Sequence, residues 1–168
     1  MNRIIIMLIC TFSLSMCNAQ EKDTIISMKN LEFIEGKWKA IAKDSSFSTI
    51  LEYKFSPEHR LLLATNHLYG KSGKLFGVYE GAYLLENGKF IYFLSGPKGE
   101  THKGIAELKN DTLIHRAVLY PGKGTKSYLS EMVLKNDKLY YYANYSKNVE
   151  FPTEIDYSEP LIYYRIKE

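Results

Sequence analysis

The sequence predicts an all-β protein. About ten antiparallel strands run up and down in chain order and close into a barrel, with a short N-terminal helix over one end. Three observations predict this. Strand-length segments follow one another from Lys37 to Lys167, separated by turns rich in Gly, Pro, Asn and Asp. One hairpin pattern occurs three times, at Asn87-Gly88, Asn110-Asp111 and Asn136-Asp137. Tyrosine, a strand former with a polar tip, contributes 14 of 168 residues and is spread over those segments.

The first 19 residues stand apart from the domain. Arg3 gives a positive start, Ile4 to Leu14 is apolar, and Cys17-Asn18-Ala19 offers small residues at the outer positions of a cleavage site. That is the pattern of a secretory signal peptide, and it implies export to the periplasm or the extracellular space. The apolar run is short for a bilayer, and no later segment reaches the roughly 20 apolar residues that a spanning helix needs. Both cysteines, Cys10 and Cys17, lie in this leader, so the exported chain has no disulfide and depends on its core. A second reading makes Leu14-Ser15-Met16-Cys17 a bacterial lipobox with Cys17 lipidated. Met16, bulky where a small residue is usual, weighs toward soluble export. Removing Arg3 lowers the net charge from +3 to +2. Such a balance points away from nucleic acid and from anionic membranes.

Residues 20–35 form a leader to the barrel domain, which covers 36–168. Ile25, Ile26, Met28, Leu31, Phe33 and Ile34 recur at loose helical spacing, which predicts one or two helical turns ending at Gly36. The expected strands are Lys37–Lys43, Thr49–Phe55, Arg60–Tyr69, Lys74–Glu86, Lys89–Leu94, Thr101–Leu108, Thr112–Tyr120, Lys126–Leu134, Lys138–Tyr145 and Pro160–Lys167. In the second, Ile50, Glu52 and Lys54 alternate with Leu51, Tyr53 and Phe55, so one face is buried. Gly77 and Gly81 mark bends or bulges in the fourth. The three turn asparagines are 23 and 26 residues apart, room for two strands and two turns, so hairpin follows hairpin. Ser146–Glu159 is a long connection of the kind that serves as a functional loop or lid. Closure removes the edges of such a meander, and a monomer avoids the large apolar face of a flat sheet. A barrel of this size has room for one small ligand.

Gly36-Lys37-Trp38, at the start of the first strand after a short lead-in, resembles the Gly-x-Trp hallmark of the calycin group, which includes lipocalins and fatty-acid-binding proteins. With Phe33-Ile34-Glu35, Tyr79-Glu80, Phe151-Pro152 and Ile155-Asp156-Tyr157, nearly all of residues 30–167 is similar to a lipocalin-like family of exported bacterial proteins of unknown function. Ten strands match fatty-acid-binding proteins better than eight-stranded lipocalins, and the lipocalin disulfide is missing. The resemblance implies that Trp38 plugs one barrel end and that Arg165, in the last strand, covers the indole by a cation–π contact. Arg165 has a second reading: with Tyr163 it binds a ligand carboxylate, as the reversed Arg-x-Tyr pair of fatty-acid-binding proteins does.

The candidate ligand-binding residues are Tyr53, His67, Glu80, Tyr92, His115, Tyr141, Tyr163 and Arg165, with Gly36 and Trp38 as the structural plug. Tyr140-Tyr141-Tyr142 and Tyr145 put aromatics on both faces of one strand, which favours an amphipathic or aromatic ligand over a bare alkyl chain. His59, His67, His102 and His115 lack metal-ligand spacing, so no metal and no cofactor is expected. Gly122-Lys123-Gly124-Thr125 lacks P-loop spacing and reads as a turn. The primary expectation is therefore a non-enzymatic, exported, lipocalin-like barrel holding a small hydrophobic or amphipathic molecule. One alternative is an isomerase or hydrolase that uses Glu80 with His67 or His115, and it requires those side chains to converge. The other is an envelope interaction module with a filled barrel.

Overall fold

A computed structural model describes residues 26–120, 126–147 and 150–167. The signal-peptide and lipobox readings of residues 1–19, and the turn at 121–125, lie outside the described residues. A 3-10 helix, Met28–Ile34, precedes ten strands. These are β1 (Gly36–Ile41), β2 (Phe47–Phe55), β3 (Leu61–Gly70), β4 (Leu75–Glu86), β5 (Lys89–Ser95), β6 (Thr101–Lys109), β7 (Thr112–Tyr120), β8 (Lys126–Lys135), β9 (Lys138–Tyr145) and β10 (Leu161–Arg165). Every expected strand is present, with ends within two residues of the expectation. Each pairs antiparallel with the next. β1 also pairs with β10 through Trp38↔Arg165, Lys39↔Tyr164 and Ala40↔Tyr163, which closes the barrel. Closure gives each strand two neighbours and so satisfies its backbone donors and acceptors on both sides.

The period-two pattern sets which side chains point inward. In β2, Leu51, Tyr53 and Phe55 are buried while Lys54 is exposed. Two glycines shape the wall. Opposite Gly77 the β3–β4 register shifts between Leu68 and Tyr69, the expected bulge. Gly81 lets β5 come close, since a Cβ there would stand 1.8 Å from the Phe93 carbonyl oxygen. The three repeated turns all place both central residues at positive φ: Asn87 50° and Gly88 73°, Asn110 46° and Asp111 61°, Asn136 52° and Asp137 56°. That is the condition for type I′ hairpins. Asp111 and Asp137 occupy the second position, where glycine carries no Cβ penalty. Asp111→Gly and Asp137→Gly are therefore each expected to stabilise the fold by about 0.5–1 kcal/mol. Urea unfolding midpoints check this, and an unchanged or lower midpoint rules out relief of turn strain.

One end of the barrel is sealed. Met28, Leu31 and Ile34 are buried at three-residue spacing, the period at which 3-10 side chains stack on one face. Trp38 is fully buried against this helix, and its Nε1–H donates to the Ile34 carbonyl at 2.7 Å. The Arg165 guanidinium lies 4.1 Å from the indole ring. It also donates to the Glu35 carbonyl at 2.6 Å and the Phe33 carbonyl at 3.3 Å. Gly36, between helix and strand, has φ +115°, and a Cβ there would sit 2.8 Å from Arg165 Nη1.

The connection from β9 to β10 is held against the outer wall. Asn144 donates to the Glu154 carbonyl at 2.9 Å, and Tyr157 donates to Glu131 at 2.9 Å. The Tyr142 and Tyr157 rings meet edge to face at 5.1 Å. Ser127, whose hydroxyl donates to the Glu150 carbonyl, and Glu131, Tyr142 and Asn144 alternate with inward residues, so these contacts lay the loop along the outside of β8 and β9. It returns to the open end at Glu159, which pairs with Lys43 at 2.8 Å. The sequence suggests a functional loop or a lid; the described residues of this connection lie along the outer wall.

Candidate functional site

The barrel encloses a cavity of about 430 Å³ that opens at the end opposite Trp38. Its wall draws between one and four inward residues from each of β2 to β10. Tyr53, Tyr92, His115, Tyr141 and Tyr163, all expected as ligand contacts, line it. Three expected contacts do not. Glu80 is exposed on β4, between the inward Tyr79 and Tyr83. His67 alternates with the inward Asn66 and Leu68 on β3 and stacks outside against Tyr69, ring centroids 6.5 Å apart. Arg165 sits at the sealed end, where its hydrogen bonds to the Phe33 and Glu35 carbonyls hold it; the carboxylate-binding reading is replaced by the structural one. Glu80 and His115 therefore lie on opposite sides of the wall, while Glu80 and His67 share its outer face, Glu80 opposite Thr65 and His67 opposite Val78, so neither pairing of the enzyme alternative comes together inside the cavity.

Two polar chains run through the interior. In the first, His115, only 3% exposed, has both ring nitrogens engaged: Nε2 with the Tyr83 hydroxyl at 2.9 Å and Nδ1 with the Ser130 hydroxyl at 3.4 Å. The Tyr92 ring stands edge-on to it at 5.0 Å. Burial lowers the His115 pKa to about 3, so the ring is neutral. In the second, the Tyr92 and Tyr128 hydroxyls are 2.6 Å apart, and His102 Nδ1 lies 3.2 Å from the Tyr128 hydroxyl. Burial also lowers the His102 pKa, opposed in part by the Glu100 charge. Nearer the mouth, Tyr79 donates to Glu100 and its ring meets His102 edge to face at 5.3 Å. Burial raises the phenols of Tyr53, Tyr83, Tyr92, Tyr128, Tyr141 and Tyr163, so they stay protonated donors.

Tyr79, Tyr83, His102 and Tyr128 were not among the candidates read from the sequence. For the β4 pair the signal was Glu80 itself: a charge marks the outward parity, which turns Tyr79 and Tyr83 inward. His102 stands one residue after the start of β6 and reads as a turn neighbour. Among the described residues no group of three His, Cys, Asp or Glu side chains converges to hold a metal. Among those residues, too, no helix is long and apolar enough to cross a membrane. The chain matches no protein-family model and no curated protein.

Proposed function

We propose that this protein holds a small amphipathic molecule inside the barrel and does so outside the cytoplasm, as a lipocalin-like binding protein. The observation that carries the reading is the cavity: about 430 Å³, open at one end, walled by aromatic and aliphatic side chains with a few convergent polar groups. That combination is what small-molecule sites present. The fit of the Gly36-Lys37-Trp38 end to the calycin pattern, with Arg165 over the indole, supports the scaffold part of the reading. The apolar leader at residues 1–19 supports the export part.

Ala143 lines the cavity on β9 and leaves space where a larger side chain would intrude. Prodan, an uncharged naphthyl ketone whose emission moves to the blue in apolar surroundings, is a suitable probe. It is expected to bind the native protein saturably, and Ala143→Trp is expected to weaken that binding by about tenfold or more, since the indole takes the ligand's place. Circular dichroism establishes that the variant is folded. Prodan bound equally by the folded variant would show that the interior is not the site.

A further inference from the structure

The ionisable groups around the cavity say what kind of molecule it accepts, an inference that rests on the interior-binding reading above. Among the lining residues the ionised side chain is Glu159, at the mouth, where Lys43 pairs with it at 2.8 Å. Both partners are exposed. The cation that a fatty-acid-like ligand would need is absent from the wall: Arg165 is committed to the Glu35 and Phe33 carbonyls at the sealed end. His102 and His115 are held neutral by burial. An anion carried inside would lose its hydration and meet no counter-charge.

The polar chain through Tyr92, Tyr128 and His102 adds a direction. Its three groups share two hydrogen bonds. If Tyr92 donates to Tyr128 and Tyr128 to His102 Nδ1, both hydroxyl protons are used. The imidazole proton then sits on Nε2. The opposite direction strands the Tyr92 proton and also leaves an unmet lone pair on Nε2. The first arrangement has one unmet group and the second two, so the first is favoured. His102 Nε2 is, among the described residues, the buried side-chain nitrogen or oxygen without a partner. Buried donors are normally satisfied, and one on a residue that lines a ligand-sized cavity wants an acceptor. Nε2 is closed off in this structure, and the Tyr79 ring packs edge to face on the imidazole, so contact with an acceptor requires a local shift of the side chains here.

We infer that the cavity selects an uncharged aromatic or polycyclic molecule bearing a carbonyl or ether oxygen, and that His102 Nε2–H donates to that oxygen. The aromatic preference comes from the rings on the wall, such as Tyr83 and Tyr92, stacked at 5.3 Å. A cation is disfavoured because the unmet group is a donor.

The test pairs Prodan with anilinonaphthalene sulfonate, an anion of similar aromatic bulk, and counts as cavity binding only the signal lost in Ala143→Trp. Prodan is expected to bind at least about tenfold more tightly than the sulfonate, because the anion enters unpaired. His102→Phe is expected to weaken Prodan about fivefold, the loss of one hydrogen bond, and His102→Gln, which keeps a donor, to restore most of it. Sulfonate binding inside as tightly as Prodan overturns the charge selection while leaving the cavity reading in place. Prodan binding unchanged in both His102 variants overturns the role of Nε2. Failure of both dyes to show any cavity-dependent signal removes the interior-binding reading, and this inference with it.

Discussion

Trp38→Ala is expected to destabilise the protein by about 3–5 kcal/mol, the range for removing a fully buried large aromatic side chain. Four observations place it near the top of that range. The side chain is completely buried, its Nε1–H satisfies the Ile34 carbonyl, its ring supports the Arg165 guanidinium, and it packs against the 3-10 helix. Its loss opens a hole at the junction where β1 and β10 close the barrel, so helix, seam and first strand all lose contacts. Domains of this size have about 5–15 kcal/mol in total, so the variant should unfold at a much lower urea concentration or fail to accumulate. Trp38→Phe separates the parts: it keeps most of the volume but strands the Ile34 carbonyl, at a cost of about 1–3 kcal/mol. Far-UV circular dichroism in urea measures both variants, since the only tryptophan fluorophore is removed. A Trp38→Ala midpoint close to the native one would show that the indole does not carry the closed end.

The sealed end was legible because its determinants are local. Trp38 is four residues from the carbonyl it binds and two from the glycine that positions it. The strands were legible for the same reason: paired positive-φ turns at Asn87, Asn110 and Asn136 cut the chain at short range, and Glu52 and Lys54 fix which face of β2 is wet. The open end was harder because its contacts join residues far apart in sequence. Tyr83 meets His115 across 32 residues, and Tyr92 meets Tyr128 across 36. Each such contact depends on the parity of several strands, and a single shift inverts a whole face. The β3–β4 shift at Leu68/Tyr69 is a case of this kind. His67 and Glu80 carry the chemistry of a site, but the polar character of each is also what an outward position tolerates. Tyr53, Tyr92, Tyr141 and Tyr163 are aromatics inside strand patterns, and that signal carries through to an enclosed wall.

Stability is expected to fall as the pH drops from 7 to 5, by about 1–2 kcal/mol, with His115 as the main source. The sign follows from the two states. Unfolded, the imidazole titrates near its ordinary value of 6.5; folded, burial lowers that value to about 3. Below 6.5 the unfolded chain therefore binds a proton that the folded chain refuses, and acid favours unfolding. At pH 5 the gap is 1.5 pH units, which corresponds to at most about 2 kcal/mol. The effect is fully absent above the unfolded value and stops growing near the folded one. Among the described residues no ionised side chain offsets it at close range: the groups around the ring are the hydroxyls of Tyr83 and Ser130 and the edge-on ring of Tyr92. His102, whose pKa is lowered in the same direction, adds to the trend. The window ends above the range where most carboxylates titrate, so acid loss of surface ion pairs contributes little. His115→Gln offers a donor and an acceptor to the same two hydroxyls without a titrating group. It should flatten most of the slope between pH 7 and 5 in urea titrations, whatever it does to stability at neutral pH. A native protein equally stable at both pH values, or a slope unchanged in His115→Gln, would mean that the ring is not held neutral between Tyr83 and Ser130. The polar chain at the heart of the cavity would then have to carry a charge, and the case for an uncharged ligand would weaken with it.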